Sequence, residues 1–464
     1  MPAPFFYKKR KHPFVPRPIT KKYFYKSSMD EKVFNFIDPK EMLFKSWKNK
    51  ADMFLSISKK HGDFSSFFIA NELTFGVFAP ADVYDVLVGK QNQFIKGNAW
   101  NRIRKFAGDG LVTAEEPSHM KNRRYIQPHF NHKKIIEDYS RVMVNKVTER
   151  QQQYLNYNKK MDLHNEMVSL VFDIVIESLF GITEKVDSSK VKRNMEIAMD
   201  SVERTIAPGL DRYDFSNLPI FKKFRVASLD LHEFSLGLIA KRKTSTENHE
   251  DLLSLLINSE MTDEQICDEV ITIILAGFET TANTLSWAFS YLNANPYVYK
   301  ELINESKRIS VSENFIDEIN NSEILDGIVK ETLRLKPSLW ILPRMAANDV
   351  TVGEKLIPKG GNVILSPYVT HRDPLVYQDP EKFIPSRWKD NFEKTLPRGS
   401  YVPFSAGPRK CIGDQFALLE MKIILCLFSA KFKIKVHGKF PEAAARGTLR
   451  LANKVKMSIE DNNV

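Results

Sequence analysis

The spacing of hydrophobic and polar residues along the chain predicts a protein dominated by helices. The clearest helix begins at the capping box Thr262-Asp-Glu-Gln265, whose side chains satisfy the first backbone N–H groups, and runs to about Leu292. Asn295-Pro296 then ends it, because proline lacks the N–H that a helix interior needs. A second clear helix is predicted from Ser322 to Leu335, and residues 131–250 have the pattern of several helices joined by polar turns.

A smaller β-rich region is predicted from short runs of β-branched and aromatic residues. Phe64–Ile69 and Thr74–Phe78 have the pattern of a hairpin, and Val350–Ile357 has the pattern of another. Asn362–Ser366 predicts one further strand. The stretch from Phe94 to Thr113 shows neither period and is interpreted as a loop. The predicted fold class is therefore mainly α with a smaller β-rich region.

Length and composition favour one large domain behind a basic N-terminal extension. The length of 464 residues would allow about three domains, but no Gly/Ser-rich linker or change of composition divides the chain. A content of 43% hydrophobic and 11% aromatic residues is enough for a large core. Residues 1–38 are basic and proline-spaced, and the domain is predicted to cover residues 39–464. The extension is interpreted as a solvated tail, with a peripheral membrane contact as the alternative.

Charge and cysteine content narrow the compartment and the partners. The chain has a formal net charge of +11 and three cysteines, too few for a disulfide framework, so a cytoplasmic setting is expected. The longest apolar run, Val270–Phe278, is too short to cross a bilayer, so no transmembrane anchor is expected. The basic residues are scattered and no nucleic-acid motif is present. The charge is therefore interpreted as favouring an acidic protein partner.

The loop Phe404-Ser-Ala-Gly-Pro-Arg-Lys-Cys411-Ile-Gly413 is the stretch that most strongly suggests chemistry. A helix is predicted to start directly after it, which places the Cys411 sulfur near unpaired N–H groups and the positive end of the helix dipole. Arg409 and Lys410 add positive charge. Cys411 is therefore expected to be a thiolate, able to bind a metal or attack an electrophile. The alternative is a half-buried structural cysteine before an ordinary helix.

A second unusual stretch, Ala276-Gly-Phe-Glu-Thr280-Thr, lies in the middle of the long predicted helix. A glycine inside a strong helix costs about 1 kcal/mol relative to alanine, so its presence requires a reason. Ala276, Gly277 and Thr280 share one face, where two small side chains and a hydroxyl leave a dent. Glu279 adds a carboxylate beside it. The alternative is a kinked core helix in which Thr280 bonds back to a carbonyl.

These stretches and their order along the chain resemble the cytochromes P-450, from about residue 40 to the end. The Cys411 loop matches Phe-x-x-Gly-x-Arg-x-Cys-x-Gly, and Ala276–Thr280 matches the oxygen-binding groove of that family. The resemblance implies the cytochrome P-450 fold, with haem b (iron protoporphyrin IX) between the long helix and the loop. It makes Cys411 the axial iron ligand with Phe404 packed beside the sulfur. Glu279 and Thr280 become the residues that handle protons.

The same resemblance implies roles for residues elsewhere in the chain. The cofactor would be bound by His119, Arg123, Arg344 and Arg409 at its propionates and by Ala276 and Gly277 at the groove. Glu331, Arg334 and Arg387 would form a buried structural charge network beneath the loop, because an isolated buried charge is costly. The substrate pocket is assigned to Trp100, Ile103, Phe106, Leu339, Trp340, Ile341 and Leu342, with a core role as the alternative for Trp340. The stretch Ile206–Phe215 breaks the helical pattern and is interpreted as a lid.

The implied activity is monooxygenation of a small hydrophobic substrate by O2. A fatty acid, a terpenoid and a carotenoid are the classes considered. No flavin, nicotinamide or iron–sulfur motif is present, so electrons are expected from a separate acidic ferredoxin or flavodoxin with its reductase. The cations expected at that interface are Lys121, Arg124, Lys133, Lys134, Arg398 and Lys410. Two alternatives stay open: a peroxide-using or isomerising haem-thiolate enzyme, and a non-enzymatic haem-binding sensor.

Overall fold

Helices form most of the structure, a computed structural model that describes residues 17–21, 36–37, 49–69, 72–155, 159–183, 188–205, 219–247 and 249–462. The helices are α1 (Lys50–His61), α2 (Pro80–Tyr84), α3 (Asn98–Ala107), α4 (Ser118–Ile126), α5 (His132–Lys134), α6 (Ser140–Tyr154), α7 (Leu163–Phe180), α8 (Ser188–Thr205), α9 (Pro219–Thr244), α10 (Leu252–Ile257), α11 (Asp263–Ala294), α12 (Pro296–Ile309), α13 (Phe315–Asn321), α14 (Glu323–Leu335), α15 (Pro367–Thr370), α16 (Phe392–Thr395) and α17 (Asp414–Lys431). Tighter or wider single turns occur at Asp85–Gly89, Gln91–Gln93, Gln127–Phe130, Ile135–Tyr139, Pro385–Trp388 and Gly407–Arg409.

Among the described residues, the strands are short and lie in four small sheets. They are β1 (Phe64–Ile69), β2 (Glu72–Val77), β3 (Phe94–Ile95), β4 (Met161–Asp162), β5 (Leu342–Ala346), β6 (Val350–Val352), β7 (Lys355–Ile357), β8 (Asn362–Leu365), β9 (Phe432–Val436), β10 (Ala443–Ala445), β11 (Leu449–Leu451) and β12 (Lys456–Asp461). The largest sheet has the order β1-β2-β8-β5-β3, in which only the β2–β8 pair is parallel. Both predicted hairpins, β1–β2 and β6–β7, form. The mainly helical prediction with a smaller β-rich region is confirmed.

The long helix α11 is the central element, and the capping box predicted for it is present. The Thr262 hydroxyl accepts a hydrogen bond from the Gln265 N–H, and the Thr262 N–H donates to the Gln265 side chain. The helix ends at Ala294, immediately before Asn295 and Pro296. Its 32 residues span about 48 Å at 1.5 Å per residue. Most of its side chains are buried against neighbouring helices, so it crosses the interior of the protein.

The described hydrophobic core divides into three clusters. The largest joins α6, α7, α11, α12, α14 and α17, a second lies on the five-stranded sheet, and a third lies between α1 and that sheet. In the part of the chain that the structure describes, no helix is long and apolar enough to cross a membrane.

Two stretches of the predicted N-terminal extension pack on the five-stranded sheet. Ile19 is buried, its N–H donates to the Gly360 carbonyl, and its own carbonyl accepts from the Leu73 N–H. Phe36 stacks on Phe68 of β1 with a centroid distance of 5.2 Å. These stretches are therefore part of the packed structure and differ from the predicted solvated tail. The domain boundary between residues 38 and 39 stays a prediction.

The segment from Phe94 to Thr113, interpreted as a loop, contains the helix α3. Glycines with positive φ precede and follow it, Gly97 at 72° and Gly108 at 61°. Its pattern is obscured because Arg104 lies on the buried face and donates two hydrogen bonds to the Thr113 carbonyl. A charged side chain therefore occupies a position where helical periodicity leads one to expect an apolar residue.

Candidate active site at the Cys411 loop

The Cys411 loop is a closed turn that precedes α17. The Cys411 N–H donates to the Phe404 carbonyl at 3.0 Å, and the Lys410 N–H donates to the Gly407 carbonyl at 3.0 Å. Gly407 has a φ of 69°, which favours glycine. A Cβ at Gly407 would also lie 2.2 Å from the Leu87 carbonyl oxygen, so the loop rests directly on the backbone of the turn at Asp85–Gly89.

Cys411 lies where burial and nearby positive charge act on its thiol in opposite directions. The helix α17 begins three residues later, at Asp414, and burial raises the pKa of the thiol to about 11. A hydrogen bond from Gly413 and the charges of Arg123 and Lys410 act in the opposite direction but do not offset burial. By surface area the side chain is nevertheless exposed. The thiol is therefore close to many protein atoms and still keeps surface that a ligand can reach.

The groove stretch of α11 also borders an open space. Ala276 is exposed although the helix around it is largely buried. The Thr280 hydroxyl donates to the Ala276 carbonyl at 2.8 Å, and the buried Ser338 hydroxyl donates to the Thr280 carbonyl at 2.8 Å. Gly277 also lies close to α7, because a Cβ there would be 3.2 Å from Val175. The glycine therefore permits close packing of α7 on α11.

Glu279 is buried and bound from the β10–β11 hairpin. Its Oε1 accepts from the Thr448 hydroxyl at 2.5 Å and from Arg450 Nε at 2.7 Å. Burial by itself raises the pKa of this carboxyl, but the charge of Arg450 and the two hydrogen bonds outweigh it, so the pKa lies below its ordinary value. Glu279 is therefore ionised at neutral pH. Sequence reasoning missed Thr448 and Arg450, because no local pattern connects positions about 170 residues apart.

A cluster of buried cations lies beside the loop. Arg409 donates to the Ala114 carbonyl at 2.9 Å and to Glu115 at 2.8 Å. Burial and the charge of Arg409 lower the pKa of Arg344 to about 10. Burial and the charges of Arg409 and Arg344 lower the pKa of Lys96 well below its ordinary value. Three cations thus act on one another beside two carboxylates, Glu115 and Glu116, an arrangement suited to an anionic ligand. Lys96 was not predicted.

His119 and Arg123 lie on α4 and have different neighbours. His119 is buried with Nδ1 2.9 Å from Glu116, and burial, aided by the charge of Arg409, lowers its pKa to about 4. His119 is therefore neutral at pH 7 and lies beside the cation cluster. Arg123 donates to the Lys410 carbonyl at 2.7 Å, which ties α4 to the Cys411 loop. Burial lowers the pKa of Arg123, and the charges of Cys411 and Asp414 act in the opposite direction.

The three residues of the predicted charge network meet as expected. Arg334 donates to both oxygens of Glu331 at 2.9 Å, and Arg387 Nε donates to Oε1 at 3.0 Å. Glu331 and Arg334 have no exposed surface. Trp388, which sequence reasoning missed, donates its indole N–H to Glu331 at 2.9 Å. The network fastens α14 to the segment that precedes the Cys411 loop.

The residues assigned to the substrate pocket occupy varied positions. Trp100 and Ile103 are half-buried on α3, and Phe106 is fully buried against Phe224. Trp340 is buried in the third core cluster, 6.1 Å from the Phe54 ring. The remaining three assigned positions are the half-buried Leu339 and Ile341 and the buried Leu342. Their roles stay predictions, and the predicted lid Ile206–Phe215 lies outside the described residues.

The Cys411 loop lies beside a cluster of buried cations in a mainly helical fold, an arrangement that suits an anionic cofactor. A family model described as Cytochrome P450 matches residues 41–458. The chain is 28% identical over 399 residues to cyclooctat-9-en-7-ol 5-monooxygenase of Streptomyces melanosporofaciens, covering 82% of this chain and 84% of that protein. It is 28% identical over 410 residues to pentalenene oxygenase of Streptomyces avermitilis, covering 85% and 88%.

The fold is also that of solved structures in this class. The heme domain of cytochrome P450DA superposes with a TM-score of 0.80 at 22% identity, covering 89% of this chain and 92% of that one. The chain belongs to the cytochrome P450 family of haem-thiolate monooxygenases.

The residues present fit the haem that this family carries. Cys411 and Ala276 both keep exposed surface, as expected where a flat ligand packs between a loop and a helix. Arg344, Arg409 and Lys96 outnumber the neighbouring carboxylates of Glu115 and Glu116, and the excess positive charge suits a ligand that carries carboxylates.

The shape of the Cys411 loop makes a stability prediction. Gly407→Ala is expected to lower the free energy of unfolding by more than about 2 kcal/mol, because the new methyl group meets the Leu87 carbonyl as well as an unfavourable φ. Gly438→Ala is the matched control: its φ is 99° and nothing lies within 4 Å, so only strain of about 1 kcal/mol applies. Urea unfolding measures both variants, and equal losses would contradict the close contact.

Proposed function

We propose that this protein uses haem b to insert one atom of O2 into a small hydrophobic substrate, most simply a terpenoid. The observation that carries the proposal is the exposed Cys411 on a loop whose Arg409 belongs to a cluster of buried cations. The substrate class rests on the relatives, whose names specify oxygenation of pentalenene and of cyclooctat-9-en-7-ol. The balanced reaction consumes the substrate, O2, two electrons and two protons, and yields the oxygenated product and water.

The chain's own residues would hold the cofactor and control protons around it. Bound haem supplies the activation of O2. Cys411 would bind the iron, and Arg409, Arg344 and Lys96 would bind the propionates. The Thr280 hydroxyl donates its hydrogen to the Ala276 carbonyl. The lone pairs of its oxygen would therefore accept a hydrogen bond in the groove. The ionised Glu279 would take up protons from solvent behind it.

We also propose that electrons come from a separate acidic protein. Four of the six cations expected at the interface already pair with carboxylates of this chain: Lys121 with Glu260, Lys133 with Glu137, Lys134 with Asp138 and Lys410 with Asp414. Arg124 and Arg398 are exposed and, among the described residues, have no ion pair. Steering of a partner therefore rests most on these two arginines. Three free cysteines suit the reducing cytoplasm.

The test is spectroscopic and then chemical. The purified, haem-loaded protein, reduced under carbon monoxide, is expected to show the red-shifted Soret band that gives the family its name. Cys411→Ala should lose that band, whereas Cys426→Ala, which changes a buried cysteine of α17, should retain it. With isotopically labelled O2, a redox partner and a panel of terpenoids, the product should contain the label. The proposal would be overturned if the folded wild type lacked this band. It would also be overturned if the product contained label only when labelled peroxide replaced labelled O2.

A further inference from the structure

The helix α9 carries a stripe of exposed apolar side chains, formed by Val226, Leu229 and Leu236. Their exposed fractions are 58%, 53% and 37%. Every other described helix or strand carries at most one large apolar side chain exposed to this degree. Single exposed apolar residues are common on protein surfaces and need no explanation. A group of them on one helix is less common and marks a surface suited to an interaction.

The stripe is separate from the face by which α9 packs on the rest of the protein. Ala227, Leu231 and Ser235 are each 1% exposed, and α9 contacts α8 and α11. Leu229 and Leu236 lie seven residues apart, which is close to two helical turns, so they share a face. That face points away from Ala227 and Leu231. The packing of α9 within one copy of the chain therefore leaves the stripe open to solvent.

Two unpaired charges of opposite sign flank the centre of the stripe. Arg225 and Glu233 are both exposed, and among the described residues neither has an ion pair or a side-chain hydrogen bond. They lie four residues before and four residues after Leu229, each about 6 Å from it along the helix axis. A surface whose charge reverses sign about one point is complementary to a copy of itself rotated by a two-fold axis through that point.

Two antiparallel copies of α9, related by a two-fold axis at Leu229, would use this pattern. The axis reverses the chain direction, so each residue lies level with the residue equally far on the other side of Leu229. Arg225 would then meet the partner's Glu233, and Leu229 would meet the partner's Leu229. Leu236 would meet the partner's Lys222, whose aliphatic stem covers the leucine while its ammonium stays in water.

The other symmetric register that joins the leucines is less favourable. With the two-fold axis midway between Leu229 and Leu236, each leucine would meet the other residue of the partner. Lys222 would then lie level with the partner's Lys243, and both lysines are exposed cations. Like charges placed opposite each other oppose association. This register also leaves the two unpaired charges beside Leu229 without partners, so the axis at Leu229 is favoured.

We propose that this protein forms a two-fold symmetric dimer in which the α9 helices of two copies pack antiparallel about Leu229, with reciprocal ion pairs between Arg225 and Glu233. The inference goes beyond the proposed function and does not depend on it. One pair of helices buries less surface than a standard protein–protein interface, so a weak dimer is expected, populated at micromolar concentrations and above. An anionic lipid surface suits the stripe less well, because the Glu233 carboxylate would repel its headgroups.

Sedimentation of the haem-loaded full-length protein over a concentration series tests the inference. The wild type is expected to pass from monomer to dimer as its concentration rises. Arg225→Glu and Glu233→Arg should each weaken the dimer by at least about tenfold, because each brings like charges together. The double variant Arg225→Glu/Glu233→Arg should restore the wild-type affinity, since the reversed pairs attract. Lys223→Glu is the matched control: this exposed lysine lies about 120° around α9 from Leu229, so the dimer should persist.

Disulfide crosslinking tests the position of the two-fold axis. With copper phenanthroline as the oxidant, which takes up two electrons and releases two protons per bond formed, two copies of Leu229→Cys should join through one disulfide. Facing positions on a close antiparallel helix pair lie within the Cα distance that a disulfide spans. Leu375→Cys, 94% exposed on a turn outside α9, is the control that measures random crosslinking, including any through the exposed Cys411.

Circular dichroism confirms that each variant is folded, as expected for substitutions of exposed side chains. The inference would be overturned by a wild type that stays monomeric throughout the series, or by a double variant as weak as the single ones. Equal crosslinking of Leu229→Cys and Leu375→Cys would also overturn it. Binding of the monomer to phosphatidylglycerol vesicles without dimerisation would assign the stripe to a lipid surface instead. The carbon monoxide test remains independent, so failure of the proposed function is recognised separately.

Discussion

Glu331→Gln is expected to destabilise the protein by about 3–5 kcal/mol, the loss typical of breaking a buried ion pair from one side. The variant keeps the shape of the side chain but removes its charge, so Arg334 and Arg387 stay buried without a counter-charge. The new amide N–H groups would also face donors, because Trp388 and the backbone of Ile384 both donate to this carboxylate. The segment leading to the Cys411 loop would loosen as a consequence.

The loss is measured by urea unfolding, together with the haem content of the purified protein. The matched control is Lys382→Gln in the same segment, which removes an exposed 3.2 Å ion pair with Asp379 and is expected to cost about 0–1 kcal/mol. A Glu331→Gln protein as stable as the control would show that the two arginines find other partners. Arg334 already donates to the carbonyls of His371, Pro380 and Lys382, so these are the groups that would compensate.

The elements predicted correctly are those whose signals are local. The Thr262–Gln265 capping box, the Asn295-Pro296 stop and the β6–β7 hairpin each depend on residues a few positions apart, and the structure contains all three. The helix α3 was missed because a buried arginine, Arg104, is satisfied by the carbonyl of Thr113. Periodicity registers only hydrophobic burial, so a buried charge with a tertiary partner misleads it.

The residues of the candidate site were found or missed for the same reason. Cys411, Glu279 and Thr280 belong to contiguous stretches and were found from the sequence. Their partners were not, because Arg450 approaches Glu279 from a hairpin 171 positions away and carries no signal of its own. The charge state of a residue is set by such partners, so the sequence indicated where the chemistry lies but not that burial raises the pKa of the Cys411 thiol.

Arg450→Gln is the second change expected to have a large effect, because it removes the cation that keeps Glu279 ionised. Arg450 and Glu279 are both largely buried, with 16% and 8% of their side chains exposed, and their ion pair is 2.7 Å long. Without the guanidinium, burial dominates and the pKa of Glu279 should rise above its ordinary value. At neutral pH or above, an unpaired buried carboxylate is expected to cost about 3–5 kcal/mol.

The pH dependence gives this prediction its sign. In the wild type the pKa of Glu279 is depressed, so its stabilising contribution is present above the unfolded-state pKa and is lost as the pH falls through the folded-state pKa. In Arg450→Gln the pKa of Glu279 should be higher in the folded than in the unfolded protein, so folding takes up a proton. The loss of stability caused by the substitution should therefore shrink as the pH falls. The stability difference between the two proteins should therefore narrow between about pH 8 and pH 5, as followed by urea unfolding at each pH.

A matched control comes from the same hairpin. Arg446→Gln removes a more exposed arginine, 47% accessible, which pairs with Asp200 at 3.0 Å and does not contact Glu279. It should cost no more than about 1 kcal/mol and show no narrowing with pH. If Arg450→Gln behaved in the same way, the ion pair would contribute little to the charge of Glu279.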